Sequence, residues 1–268
     1  MFDFHMHTHF SPDAFMTLEE AIEAAVNKGL DTVCITDHVD YDFDGDNNDF
    51  SINFGDYFKE IKRMQELYSG RINIRTGVEF GLQPHLYYRY SKDVVNNPFD
   101  FILCSIHSVA KTDLYSGNYF DIRNQVQSYT DYYKEMKDIV DNYEGYSVFG
   151  HLDVIKRYGA FDIILPFHNY QEMVEDILKT IIAKGKGIEL NTSGIRYGLG
   201  DYHPSRDIIQ LYHDLGGEII TIGSDSHKTK DIGFEFKKAA RYLQEIGFKY
   251  ITTFQQLKPE FHPIEKLI

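Results

Sequence analysis

Short runs of apolar and β-branched residues alternate along the chain with longer stretches in which apolar positions recur at helical spacing. The runs predict seven strands, over residues 2–4, 32–35, 73–77, 101–104, 147–149, 187–190 and 218–222. Between them, Thr17-Leu-Glu-Glu20 forms a capping box that opens a helix. Leu18, Ala21, Ile22, Ala25 and Val26 share one face of it, and Lys28-Gly29 closes it with a cation and a glycine. Met173, Val174, Ile177, Leu178, Ile181 and Ile182 repeat that spacing before Gly185, as do Phe236, Ala239, Ala240, Leu243 and Ile246 before Gly247. Strands that alternate with helices pair in parallel, and strands that are apolar throughout are covered on both faces. The class is therefore α/β. Periodicity alone leaves a closed barrel and an open doubly wound sheet both standing.

Two long loops interrupt the pattern, residues 40–51 and 111–118. The first, DYDFDGDNNDFS, imitates a calcium loop, with Asp40, Asp42 and Asp44 at alternate positions followed by Gly45. Such a loop needs a bidentate glutamate at its twelfth position and a helix on each side. Here the twelfth residue is Ser51 and a strand precedes Asp40, so the segment reads as a solvated acidic loop or as a lid over a site.

Composition narrows the function. The 268 residues suit one large domain spanning 1–268. They carry 41 Asp and Glu against 27 Lys and Arg, a net charge of −14. That balance argues against a nucleic-acid groove or an anionic membrane surface, both of which need clustered cations. No apolar run approaches the roughly 20 residues that span a bilayer. The start, MFDFHMHTHF, lacks the basic and apolar regions of a signal peptide. Cys34 and Cys104 lie in apolar segments and read as reduced core thiols, so a cytoplasmic protein is expected. What stands out is twelve histidines in an acidic chain.

Their positions matter more than their number. His5, His7, His38, Glu79, His107, His151, Asp225 and His227 each fall at or just past the C-terminal end of a candidate strand. In parallel α/β folds those ends converge on the face that carries ligands. His5-Met-His7 and Asp225-Ser-His227 each put two donors on one side, because side chains alternate along a strand. Imidazole and carboxylate are ligands for Zn, Mn or Fe. A single histidine past a strand, such as His107 or His151, is ordinarily a hydrogen-bonded core residue; the set as a whole argues for a metal site. His85, His203, His213 and His262 read as surface or loop residues, His168 as a helix start, and His9 as a support for a ligand. A Ser/His/Asp hydrolase would need a Gly-x-Ser-x-Gly elbow, and Gly223-Ser-Asp-Ser-His227 lacks the second glycine. Nucleotide-binding glycine loops are absent too.

His5-Met-His7-Thr, Thr36-Asp37-His38, Gly77-Val-Glu79, Ser105-Ile-His107, Gly150-His151-Leu-Asp153 and Gly223-Ser-Asp225-Ser-His227 together resemble the ordered motifs of PHP (polymerase and histidinol phosphatase) domains. The resemblance implies a distorted seven-stranded TIM-like (β/α) barrel with three divalent metals at the strand C-termini. Carried over, His5, His7, Glu79 and Asp225 hold one metal, and Glu79 bridges to a second held by His107 and His151. Asp13, His38 and His227 hold the third. Within the family, His151-Leu-Asp-Val-Ile-Lys-Arg157 and Glu189-Leu-Asn-Thr-Ser-Gly-Ile-Arg196 resemble the stretches by which stand-alone histidinol-phosphate phosphatases present Arg157 and Arg196 to phosphate. A planar guanidinium matches phosphate oxygens two at a time.

The reaction so implied is hydrolysis of L-histidinol phosphate to L-histidinol and inorganic phosphate, by attack of a metal-activated hydroxide. Asp225 and His227 are the candidates for supplying a proton to the leaving alkoxide. Asp37 and Asp153 are candidates to orient ligand imidazoles, and the acidic loop from Asp40 to Asp49 to attract the substrate's cation. The alternatives are a phosphoesterase of the same family acting on a nucleotide, a short oligonucleotide or phosphotyrosine, and a metal-stabilised barrel without turnover. The ligand types leave Zn, Mn and Fe all open, and nothing in the sequence fixes an oligomeric state.

Overall fold

The apolar runs become strands because both of their faces find cover. All residues of Thr32–Ile35, Phe101–Ser105, Gly187–Asn191 and Ile220–Gly223 are buried. The computed structural model describes residues 1–45, 48–161 and 163–268, so Asp46 and Asn47 of the acidic loop, with Asp162, lie outside the described residues. The barrel strands are β1 (Phe2–Asp3), β2 (Thr32–Ile35), β3 (Asn73–Gly81), β4 (Phe101–Ser105), β5 (Val148–Phe149), β6 (Gly187–Asn191) and β7 (Ile220–Gly223). They neighbour one another in chain order, and every pairing is parallel.

The choice between open sheet and barrel is made at the seam between the first and last strands. The backbone N–H of Phe4 donates to the Ile222 carbonyl at 3.0 Å, that of Asp225 to His5 at 2.8 Å, and that of His7 to Ser226 at 2.9 Å. The sheet thus forms a nearly closed seven-stranded barrel with helices outside.

The capping box at Thr17 and Glu20 opens the helix Leu18–Asn27 as expected, with Leu18, Ala21, Ile22 and Ala25 buried. Gln171–Ala183 and Phe236–Ile246 are the other two expected helices. Apolar counting passes over Gln125–Asn142, whose buried face is Tyr129, Tyr132, Tyr133, Met136, Ile139 and Val140. Tyrosine contributes ring area there while scoring as half polar. Strand bounds also shift. β3 continues past Gly77 through Glu79, because β4 and the short strand His38–Val39 flank it on both sides. A C-terminal hairpin, Tyr250–Gln255 with Lys258–Pro263, meets the barrel through Phe254 against Phe101 and the Thr252 hydroxyl at the N–H of Ile220. Both contacts are at strand starts, so the hairpin caps the end opposite the histidines. Cys34 and Cys104 are free and buried. Among the described residues no helix is long and apolar enough to cross a membrane.

Candidate metal centre

The barrel gathers all nine expected donors at one end. His5 and His7 bring their Nε2 atoms to 3.1 Å from each other. Glu79 Oε2 lies 3.1 Å from His5 Nε2 and 3.4 Å from His7 Nε2, while Asp225 Oδ1 lies 3.7 and 3.5 Å from the same two atoms. The other oxygen of Glu79 meets His151 Nε2 at 2.9 Å and His107 Nε2 at 3.3 Å. Glu79 therefore stands between two groups of donors. At the rim, Asp13 Oδ2 lies 3.0 Å from His227 Nε2 and 3.7 Å from His38 Nε2. Asp225 and His227 reach the centre together, but strand alternation is not the cause: Asp225 has φ +51°, a left-handed kink just past β7.

The donor set fits divalent metal on the evidence of its lone pairs. The Nδ1–H of His5 is held by Glu189 Oε1 at 2.7 Å. The Ser11 hydroxyl donates to Asp37 at 2.6 Å and so accepts from His7 Nδ1 at 3.2 Å. With Nδ1 of both rings so held, the two Nε2 atoms face each other, an arrangement that a shared cation between them relieves. Electrostatics agree. Burial pushes Glu79 and Asp225 up, but the surrounding imidazoles, His5 first, outweigh it and hold both carboxyls well below their ordinary range. Burial pulls His5 down, but Glu189, Glu79 and Asp225 raise it well above its ordinary value. His7 and His38 are lowered by burial and by neighbouring imidazoles, His38 to about 4. The carboxylates demand positive charge that crowded imidazoles cannot all supply as protons.

The orienting residues differ from those expected. Asp37 acts on His7 only through Ser11, and it also holds the N–H and hydroxyl of Thr8. Asp153 bonds His203 and Lys156 and no ligand imidazole. His203 is fully buried and not a surface residue, because Asp153 draws it inward. The carboxylates that do hold imidazoles are Glu189, on His5, and Asp40, on His107 Nδ1 at 2.6 Å. Glu189 had a signal in the sequence, a lone charge inside an otherwise apolar strand. Asp40 was masked by the acidic loop around it.

That loop is less solvated than its composition implies. Asp40 and Asp42 are buried and face different histidines, His107 and His85, instead of sharing one centre. Phe43 and Phe50 from the same loop form part of the wall of a cavity of about 500 Å³ over the donors.

Two glycines make the orienting contacts possible. A Cβ at Gly81 would stand 1.7 Å from Asp40 Oδ1, and one at Gly223 would stand 2.1 Å from Glu189 Oε1. Gly81→Ala is expected to expel Asp40 from His107 and weaken metal retention 10–100-fold, on the order of the loss of an orienting partner. Metal content after dialysis checks this; unchanged retention would show that Asp40 does not hold His107.

Arg157 lines the cavity, its guanidinium 3.3 Å over the Tyr197 ring and 3.9 Å from Asp225 Oδ2. Arg196 does not line it. Two of its N–H groups are spent on the carbonyls of Ser224 and Asp225, at 2.8 and 2.7 Å, which brace the kink at Asp225.

A seven-stranded α/β barrel with imidazoles and carboxylates converging at its strand C-termini defines a class of hydrolase-type metal sites. The chain belongs to the PHP domain family, whose model matches residues 3–193. It is 32% identical to the histidinol-phosphatase of Lactococcus lactis, over 96% of this chain and 95% of that one. It is 31% identical to a probable histidinol-phosphatase of Clostridium acetobutylicum, over 93% and 95%. The crystal structure of the Lactococcus lactis histidinol phosphate phosphatase, complexed with zinc, L-histidinol and phosphate, superposes with a TM-score of 0.90 at 30% identity, covering 97% of this chain and 98% of that one.

Proposed function

We infer that this protein is a metal-dependent phosphomonoesterase that hydrolyses L-histidinol phosphate to L-histidinol and inorganic phosphate. The observation that carries this is the near-complete superposition on a phosphatase structure holding zinc, histidinol and phosphate. The nine donors assembled here supply the matching chemistry. His5, His7, Glu79 and Asp225 would hold one metal, Glu79, His107 and His151 a second, and Asp13, His38 and His227 a third, with Zn, Mn or Fe as the candidates. Bound there, divalent metals supply an activated water and draw charge from phosphoryl oxygens. Arg157 takes the phosphate from the cavity wall, and Arg196, behind that wall, would reach it only with the N–H groups that its bonds to the Ser224 and Asp225 carbonyls leave over. Asp225 and His227, both on the cavity wall, are the candidates for relaying a proton to the leaving oxygen, Asp225 as a carboxylate that must first take one from water. Phe43, Phe50 and Tyr115 offer the substrate's imidazole an aromatic surround. The chain acts as one phosphoesterase domain in the cytoplasm on a small-molecule ester.

The test is phosphate release by metal-loaded protein from histidinol phosphate, mononucleotides, dinucleotides and phosphotyrosine. Histidinol phosphate should lead by about 10²-fold or more in kcat/KM, the discrimination a site gains from pairing a substrate's own polar groups. Arg157→Met should lower kcat/KM by about 10²–10³-fold on that substrate. A nucleotide turning over faster than histidinol phosphate would overturn the substrate, and no release from any of them would overturn the enzyme.

A further inference from the structure

Four of the six imidazoles at the centre have Nδ1 partnered within the chain: His5 by Glu189, His7 by Ser11, His107 by Asp40, and His227 by the Asp225 carbonyl at 3.1 Å. His38 turns its Nδ1 toward Glu79 at 3.1 Å. His151 differs. Its Nε2 faces Glu79, while its Nδ1 is buried with no hydrogen-bond partner in the protein. On the ligand reading above, on which this inference rests, Nε2 gives its lone pair to a metal. The proton of His151 is then on Nδ1 and needs an acceptor.

A complementary orphan lies in the same corner of the barrel. His203 is fully buried and its Nε2 also has no partner in the protein. Its Nδ1 lies 2.8 Å from Asp153 Oδ1, and the other oxygen of Asp153 takes the Lys156 ammonium and the N–H of Ser205, each at 2.8 Å. A carboxylate so surrounded by donors is ionised and only accepts, so the proton of His203 is on Nδ1 and its Nε2 is a bare acceptor. The backbone brings the rings together. Asn191 and His203 exchange backbone hydrogen bonds at 2.7 and 3.0 Å, and Glu189, two residues before Asn191, accepts the N–H of His151 at 2.9 Å. Asp153, which holds the His203 ring, is itself only two residues past His151.

We propose that His203 accepts the Nδ1–H of His151 through one ordered water, so that Asp153 and His203 form the positioning pair for this ligand. The arrangement fixes the tautomer of His151 and makes its Nε2 a better donor to metal, as Glu189 and Asp40 do for His5 and His107. One water suffices, because two imidazoles offer it the donor and the acceptor it needs.

Three variants separate this role from packing. His203→Gln places an amide oxygen near the position of Nε2 and keeps an acceptor. His203→Asn keeps an N–H toward Asp153 and offers no acceptor toward His151, and His203→Ala keeps neither. Zinc affinity is measured by chelator competition, alongside the Nδ1–H resonance of His151 in 15N-histidine-labelled zinc protein. Asn and Ala should weaken zinc about 10–100-fold and lose the resonance to exchange, with Gln within about threefold of the parent. Equal losses in Gln and Asn, or parent-like affinity in all three, overturn the proposal. His151→Ala is the control: if it leaves zinc affinity unchanged, His151 is no ligand, and the metal assignment falls with the proposal.

Discussion

Glu79→Gln should lower kcat/KM for phosphate release by more than about 10³-fold while leaving the barrel folded. Few substitutions change so little volume and so much charge. One oxygen of Glu79 lies 3.1 Å from both His5 and His38 and 3.4 Å from His7. The other takes the Ser105 hydroxyl at 2.6 Å and faces His107 and His151. The amide keeps the shape, but it removes the negative charge shared by two donor groups and turns an N–H₂ toward one set of imidazoles. Metal content per chain should fall with the activity, because loss of an orienting partner alone costs 10–100-fold in affinity and a ligand costs more. The variant is assayed for metal content, for phosphate release and for its circular dichroism spectrum. Full metal content and activity within tenfold of the parent would remove Glu79 from the bridging position.

Stripping the metals should abolish phosphate release and lower Tm by about 10 °C. The magnitude follows from mass action: a ligand present at a thousand times its Kd stabilises the folded state by about 4 kcal/mol, and a domain of this size loses roughly 2–4 °C per kcal/mol. The fold should survive the loss, since the metal-free centre retains carboxylates paired with raised His5 and His107 imidazoles. Retention should weaken as pH falls, because each imidazole must give up its proton to bind metal. Chelator-treated protein is followed by calorimetry and phosphate release, then reloaded with zinc, manganese or iron. Undiminished activity after the metal content has been shown to be negligible would exclude a metal-dependent reaction.

The donor residues gathered at one end of the barrel were legible in the sequence for a specific reason. Parallel strands deliver their C-terminal ends to one face, so a histidine just past each apolar run is already located in space. His107 and His151, each unremarkable alone, were read as donors because the whole set falls at strand ends. Arg157 was legible in the same way, but Arg196 was placed only in part. Its distance past β6 put it at the right end of the barrel, while the kink at Asp225 claimed two of its N–H groups.

The orienting residues were not legible, because their role depends on contacts between segments far apart in the chain. Asp40 and His107 are 67 residues apart, and His5 and Glu189 are 184 apart. Neither pair can form unless a glycine on a third segment leaves room, Gly81 for Asp40 and Gly223 for Glu189. His203 shows the same limit from the other side. With no strand before it and a proline after it, it reads as a loop residue, and only the buried Asp153 carboxylate accounts for its place in the core. The sequence by itself determined the α/β class, the strand order, three of the helices and the end of the barrel where the donors gather, because periodicity and strand direction are local properties. Tertiary structure decided that the sheet closes, which carboxylate holds which imidazole, and where Asp153 is spent. Those outcomes depend on hydrogen bonds across the seam and on close packing between distant segments, neither of which leaves a periodic trace in the chain.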